Sequence, residues 1–324
     1  MLSHRFIALQ IHFLFWTAIV ILIHILGYVS FLPILAPIIL IDIFYAFSLG
    51  LMLRLPRNRE DSEAPEGWEW EHYDVRNYPV RWLNKSMDSK KPLAILIHGW
   101  NSRASNMIGR SKLFEKYGYN CVLFEMRAHG GNQRVKHWAA MHIVHDLEQI
   151  LLLFDSRGWL DKGFIIHGHS LGGFVAQRAM RPSLNTSKDA LGMILESPVT
   201  SYEYINNQTC AYLNIPKLLH RPMMNRLIRY YNTLNPAEFS VTEIDMLSTP
   251  KWGFPQCPTI LVQAKNDATL GLEHAELLIE AHNLKSTDFT YHIVGELKHA
   301  YEANNEVRDR LISDWMKEKS LFFD

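Results

Sequence analysis

Residues 163–180 read GFIIHGHSLGGFVAQRAM. An apolar run leads into glycines around a single serine, and a helical pattern follows. Gly168, His169, Ser170, Leu171 and Gly172 fit G-x-S-x-G, in the strand–turn–helix context that gives this pattern its meaning. The glycines let the backbone fold sharply without Cβ clashes. The turn lifts the serine hydroxyl above a sheet. The helix behind it aims free N–H groups and the positive end of its dipole at the same point. A glycine-rich helix start with no chemistry is the plainer reading. The strand before, the helix after and the extra Gly173 argue against it.

The surrounding chain alternates in kind. Two short strands, WEHYDVR and VRWLNK, precede the apolar run PLAILIHG. A helix closes at Gly118, then come strand NCVLFEM and a long amphipathic helix over residues 137–158. Beyond the serine turn lie strands LGMILES, PTILVQAKN and FTYHIVG, a helix over residues 272–283 and a last helix over about 301–319. Apolar runs alternating with helices predict an α/β fold: a mostly parallel sheet with helices on both faces. Ligands of such sheets sit at the carboxyl ends of the strands.

A serine hydroxyl needs a base. His299 follows the last strand and is expected at the start of the final helix, on the same rim as Ser170. His167 and His169 lie within the turn's own backbone, and His292 lies inside a strand. Asp267, after PTILVQAKN, is the favoured carboxylate to orient His299, and Glu196 at the end of LGMILES competes with it. The order Ser170, Asp267, His299 is the chain order of α/β-hydrolase triads. The oxyanion donors are expected to be the N–H of Leu171 and, from LIHGWNSRASN, the N–H of Trp100, with Asn101 as second choice.

These pieces carry a resemblance. HGWN, EMRAHGGN, GHSLGG, LESPVTS, AKNDATLG and LKHAYE make the chain from about residue 70 onward similar to the α/β-hydrolase superfamily, in its serine aminopeptidase-like and monoacylglycerol-lipase-like branch. The resemblance implies a Ser170–His299–Asp267 triad, hydrolysis of esters or amides through an acyl-enzyme, and no cofactor. It also implies that residues 200–256 form a small helical cap. Glu125 and Ala128 depart from the Asp and Gly common in relatives, in a loop that is structural in the family.

The first fifty residues obey a different rule. Residues 6–26 and 34–53 are apolar, interrupted in the first run by Gln10, His12, Thr17 and His24, and in the second by Asp42 and Ser48. Each run of about 20 residues matches the hydrocarbon core of a bilayer. The turn between them holds no charge. Arg5 precedes them, and Arg54, Arg57 and Arg59 follow. The expectation is a transmembrane hairpin over residues 1–53, both ends cytoplasmic, then a linker over 54–69 and a cytoplasmic domain over 70–324. A secretory signal is the alternative. Asp42 is costly at mid-membrane. Pairing with Thr17 or His24 of the first helix is expected, with a proton site as the second reading. Trp68, Trp70 and Trp82 suit either the membrane interface or the core.

The cap stretch places Met223, Met224, Leu227 and Ile228 beside Arg221, Arg226 and Arg229. It reads equally as a lid touching anionic lipid headgroups or as a cap packed on its own core. His137, His142 and His145, with Asp146, share one helix. One helix supplies too few ligands for a metal, and a solvated face is expected. Lys and Arg balance Asp and Glu at 33 each, which argues against nucleic acid as partner. Cys121, Cys210 and Cys257 are odd in number and far apart, so a disulfide framework is not expected. Three functions follow in order of expectation. The first is a membrane-anchored serine hydrolase of lipophilic acyl esters, with membrane lipids as surroundings. The second is an aminopeptidase or amidase with Glu196 or Glu203 receiving an amine. The third is a non-catalytic scaffold.

Overall fold

Eight strands form one sheet in the order β1-β2-β4-β3-β5-β6-β7-β8 in the computed structural model, which describes residues 6–57, 63–234, 240–249, 251–299 and 303–323. Arg5, Arg59 and residue 301, where the last helix is expected to start, lie outside the described residues. β1 (Glu69–Val75) and β2 (Tyr78–Asn84) make an antiparallel hairpin. Its two turn residues, Arg76 and Asn77, have φ of 49° and 61°, the left-handed pair that a tight hairpin with right-handed twist requires. β2 also runs antiparallel to β4 (Asn120–Phe124). All remaining pairs are parallel: β3 (Leu93–Ile97), β5 (Phe164–His169), β6 (Ala190–Glu196), β7 (Thr259–Ala264) and β8 (Phe289–Val294).

The sheet is covered on both faces, and the period of two along β3 shows how. Leu93, Ile95 and Ile97 join one apolar cluster, with residues of α4 (Ala140–Ser156), α5 (Leu171–Ala179) and α8 (Glu273–Lys285). Ala94 and Leu96 join the other, with residues of α3 (Ile108–Lys116) and α9 (Glu306–Glu318). β3 is buried at every position, which is why it reads as an uninterrupted apolar run. Trp68 and Trp82 are buried in these clusters and Arg81 stacks over Trp70, so the three tryptophans belong to the domain. With Trp68 buried and β1 opening at Glu69, the folded core begins inside the stretch read as linker.

α1 (Ile7–Ile25) and α2 (Leu32–Met52) are both long and apolar enough to cross a membrane. They pack against each other as a hairpin. Asp42 on α2 accepts from His12 Nδ1 at 2.6 Å and Trp16 Nε1 at 2.8 Å. Thr17 donates to its own helix at Phe13, so neither expected partner is used by the carboxylate. The reason is register. Asp42 lies about three turns beyond the loop, and in an antiparallel pair it meets residues the same distance before it. His24 is too close to the turn.

The chain between β6 and β7 holds α6 (Tyr202–Tyr212) and α7 (Lys217–Leu234). Met223, Met224 and Leu227 are buried with Cys210, Ile215 and Leu49 of α2. The methionines therefore fill a core shared by cap and hairpin. Arg221 and Arg229 stay exposed. The three cysteines are buried and free.

Candidate active site

The turn after β5 puts Ser170 at φ 54°, a left-handed conformation that non-glycine residues seldom adopt. The two glycines make it possible by yielding space. A Cβ on Gly168 would overlap the carbonyl of Gly172, and one on Gly172 would overlap the carbonyl of Ile97. Ser170 N–H donates to Glu196 O at 3.0 Å, and Gly173 N–H donates to Ser170 O at 2.9 Å. These bonds tie the turn to β6 and to the first turn of α5. The serine caps α5 with its backbone while its side chain faces away.

Ser170, His299 and Asp267 come together from three separate segments. His299 Nε2 lies 3.0 Å from Ser170 Oγ, and His299 Nδ1 lies 2.7 Å from Asp267 Oδ2. Asp267 Oδ1 accepts from the amides of Thr269 and Leu270, both at 2.9 Å, and Oδ2 accepts from Gln263 Nε2 at 3.2 Å. Burial works against its charge, but the bonds from His299 and the two amides outweigh it and hold the carboxyl below the ordinary aspartate range. With an ionised Asp267 as acceptor, Nδ1 carries the imidazole proton. Nε2 is then free to accept from the serine hydroxyl.

His299 does not open the final helix. Asn305 caps α9 by accepting from Arg308 N–H at 2.9 Å, and His299 sits in the loop before it. A loop residue needs something to hold it. His169 Nε2–H donates to His299 O at 2.7 Å, and the two rings pack with centroids 5.3 Å apart. Desolvation lowers the pKa of His169, keeping it a neutral donor.

Glu196, the competing acid, is committed elsewhere. Arg110 grips it with two bonds, 2.6 Å from Nε and 2.5 Å from Nη2, and Arg308 Nη1 stands 3.4 Å away. Burial opposes ionisation here, yet the two guanidiniums hold the carboxyl well below its usual range. This network lies directly under the serine turn. Sequence reasoning missed Arg110 and Arg308, because a helical arginine carries no mark of burial.

Gly99 passes the serine so closely that a Cβ on it would sit 3.1 Å from Ser170 Cβ. The chain therefore enters Trp100 directly from this close approach to the serine. Trp100 and Leu171 border the same cavity as Ser170 and Asp267. Asn101 is turned to φ 56°, and its Oδ1 accepts from Arg57 N–H at 2.8 Å. Glu125 is fully buried, accepts from Ala104 N–H and lies 3.2 Å from His98 Nε2, so this departure serves the loops behind the site.

Only His142 and His145 lie on α4; His137 sits in the loop before it, so the three do not share one helix as expected, and they form neither a metal site nor a solvated face. His137 Nδ1 pairs with Tyr230 Oη and His142 Nε2–H donates to Leu234 O, both at 2.7 Å. His145 is buried, and Arg127 holds Asp146 bidentately. The face is covered because the end of α7 lies on it. Among the described residues no group of three or more metal-ligating side chains converges.

The cavity beside Ser170 measures about 780 Å³. Its walls include Phe174, Tyr202, Met224, Leu227 and Ile228 from α5 and the cap, Leu51 and Met52 from the end of α2, and Arg54 just past it.

A family model described as alpha/beta hydrolase family matches residues 94–301. Among solved structures, an esterase from Pyrococcus furiosus superposes with TM-score 0.57 at 18% identity, covering 81% of this chain and 98% of its own. Thermogutta terrifontis esterase 2, solved phosphoramylated by tabun, gives TM-score 0.58 at 14% identity, covering 82% and 99%. Porphyromonas gingivalis dipeptidyl peptidase 4 gives 0.53 at 13%, covering 79% of this chain and 35% of its own. At such identities the likeness is one of fold. No curated protein matches the sequence.

Proposed function

Because this chain belongs to the alpha/beta hydrolase family, we propose that it is a membrane-anchored serine hydrolase that cleaves lipid or fatty-acyl esters through an acyl-enzyme. The observation that carries this reading is the unbroken line from Ser170 Oγ through His299 to Asp267, at 3.0 and 2.7 Å. Ser170 Oγ attacks the ester carbonyl while His299 Nε2 takes its proton. Asp267 holds the Nδ1–H tautomer and steadies the imidazolium that forms. The N–H groups of Leu171 and Trp100 receive the oxyanion; one such donor is worth about 3 kcal/mol of barrier. The proton on Nε2 then passes to the leaving alcohol. A water repeats the sequence on the acyl-serine, and the free acid departs.

Two observations favour esters over peptides. Of the two acids considered for receiving a free amine, Glu196 is neutralised by Arg110 and Arg308, and Glu203 is not among the residues lining the cavity. The cavity wall is largely aromatic and aliphatic. The apolar hairpin supports anchoring, because it leaves Ile11, Phe13, Leu14 and Ile25 exposed with nothing polar to explain them. A hairpin with both ends cytoplasmic puts the domain on the cytoplasmic side, with lipids as the nearest source of substrate. Full-length protein in detergent, offered p-nitrophenyl acyl esters and amino-acid p-nitroanilides, separates the readings. Turnover of the esters alone is expected. Turnover of the anilides alone would move the assignment to a peptidase, and turnover of neither by folded protein would favour a scaffold.

A further inference from the structure

The hairpin meets the site in more ways than tethering requires. Leu51, Met52 and Arg54, at and just past the end of α2, border the cavity that holds Ser170. One turn earlier, Leu49 is buried with Met223, Met224 and Leu227 of α7, and Met52 packs against the same cluster. Past the helix, Pro56 is buried and Arg57 N–H donates to Asn101, the residue after Trp100. A polar link reinforces the apolar one. Arg226 of α7 donates to His12 Nε2 at 3.3 Å, and His12 Nδ1–H donates to Asp42. Cap, hairpin and the loop after β3 thus form one assembly around the cavity. A simple tether would instead leave the helix clear of the domain and joined by a slack linker.

We propose that the C-terminal turn of α2 is a wall of the acyl site, so that hairpin and cap together hold the hydrocarbon of a long-chain acyl ester while its carbonyl lies at Ser170. This rests on the hydrolase reading above and adds to it a role for the anchor in chain-length preference. Leu51 and Met52 from the hairpin, with Met224, Leu227 and Ile228 from α7, offer a hydrocarbon surface in which each buried methylene adds to binding. Unbranched methionines adapt their shape to a flexible chain.

The test uses full-length protein in detergent with p-nitrophenyl esters from butyrate to palmitate. The quantity read is the ratio of kcat/KM for palmitate to that for butyrate. Met52→Trp fills the wall and is expected to lower the ratio by about tenfold or more. Met52→Ala and Leu51→Ala open it and are expected to move the preferred chain length upward. Labelling of Ser170 by a small fluorophosphonate reports, for each variant, that the site has folded. A ratio within about twofold of wild type in labelled variants would overturn the proposal. Should Met52→Trp fail to label, the two alanine variants decide by the same criterion. Wild-type protein that neither labels nor hydrolyses any ester brings down the hydrolase reading itself, and this proposal with it.

Discussion

Ser170 is held in a backbone conformation that costs energy, and its neighbours absorb that cost. The clearest case is Gly172, where any side chain meets the backbone carbonyl of Ile97. Gly172→Ala is expected to destabilise the domain by about 2 kcal/mol or more, because backbone cannot yield as a side chain can. Thermal denaturation in detergent measures this. Asp267→Asn tests a different property. It leaves the volume unchanged but replaces one oxygen with an amide that cannot accept from Nδ1–H. The imidazole then favours the wrong tautomer, and ester turnover is expected to fall by about 10³–10⁴-fold with little change in melting temperature. The residues involved were legible because each closes an apolar strand. Ser170 follows β5, Asp267 follows β7 and His299 follows β8. What was not legible is the bond from His169 to His299, since nothing local reveals where a distant loop will return.

Elements are joined here by buried charge as well as by apolar packing. Glu196 at the end of β6 draws Arg110 from α3 and Arg308 from α9 into the space under the serine turn. Arg110→Ala would leave that carboxylate with a single, more distant cation. The expected cost is about 3–5 kcal/mol, the range for stripping one partner from a buried pair, read as a fall in denaturation midpoint. Conversion to a surface-like effect of a few tenths would contradict the burial argument. Strands were read with correct identity because their apolar runs are short and bounded. Helix ends were read less well. The last helix starts at Glu306, five residues later than expected, because Asn305 provides the cap that an apolar pattern cannot locate. Asp42 was expected to pair with the first helix and does, but through His12 and Trp16. Only the length of the turn fixes that register.

Across the whole molecule, several imidazoles are buried without charge. Burial pushes His129 down to about 3, and His274 and His282 to about 4. In the unfolded chain these rings take protons below about pH 6.5. Between there and their folded values the unfolded state binds more protons, so stability must fall as pH drops through this window. The depressed carboxyls of Asp267 and Glu196 act only lower, as pH falls below the ordinary carboxylate range. A lower melting temperature at about pH 5 than at about pH 7.5 is expected, and His282→Asn should flatten that slope. The fold class was legible in the sequence as a whole, since alternating apolar runs and helices leave few arrangements. The fusion of hairpin, cap and cavity was not, because the contacts of Leu49 and Met52 with α7 join parts of the chain more than 150 residues apart.

The central claim is that Ser170 is a nucleophile activated by His299. Reacting full-length protein with a fluorophosphonate and mapping the adduct by mass spectrometry tests it most directly. The account predicts a single modified residue, Ser170, with labelling lost in Ser170→Ala and slowed at least about a thousandfold in His299→Ala. Folded protein that stays unlabelled, or that labels at the same rate without His299, would contradict it.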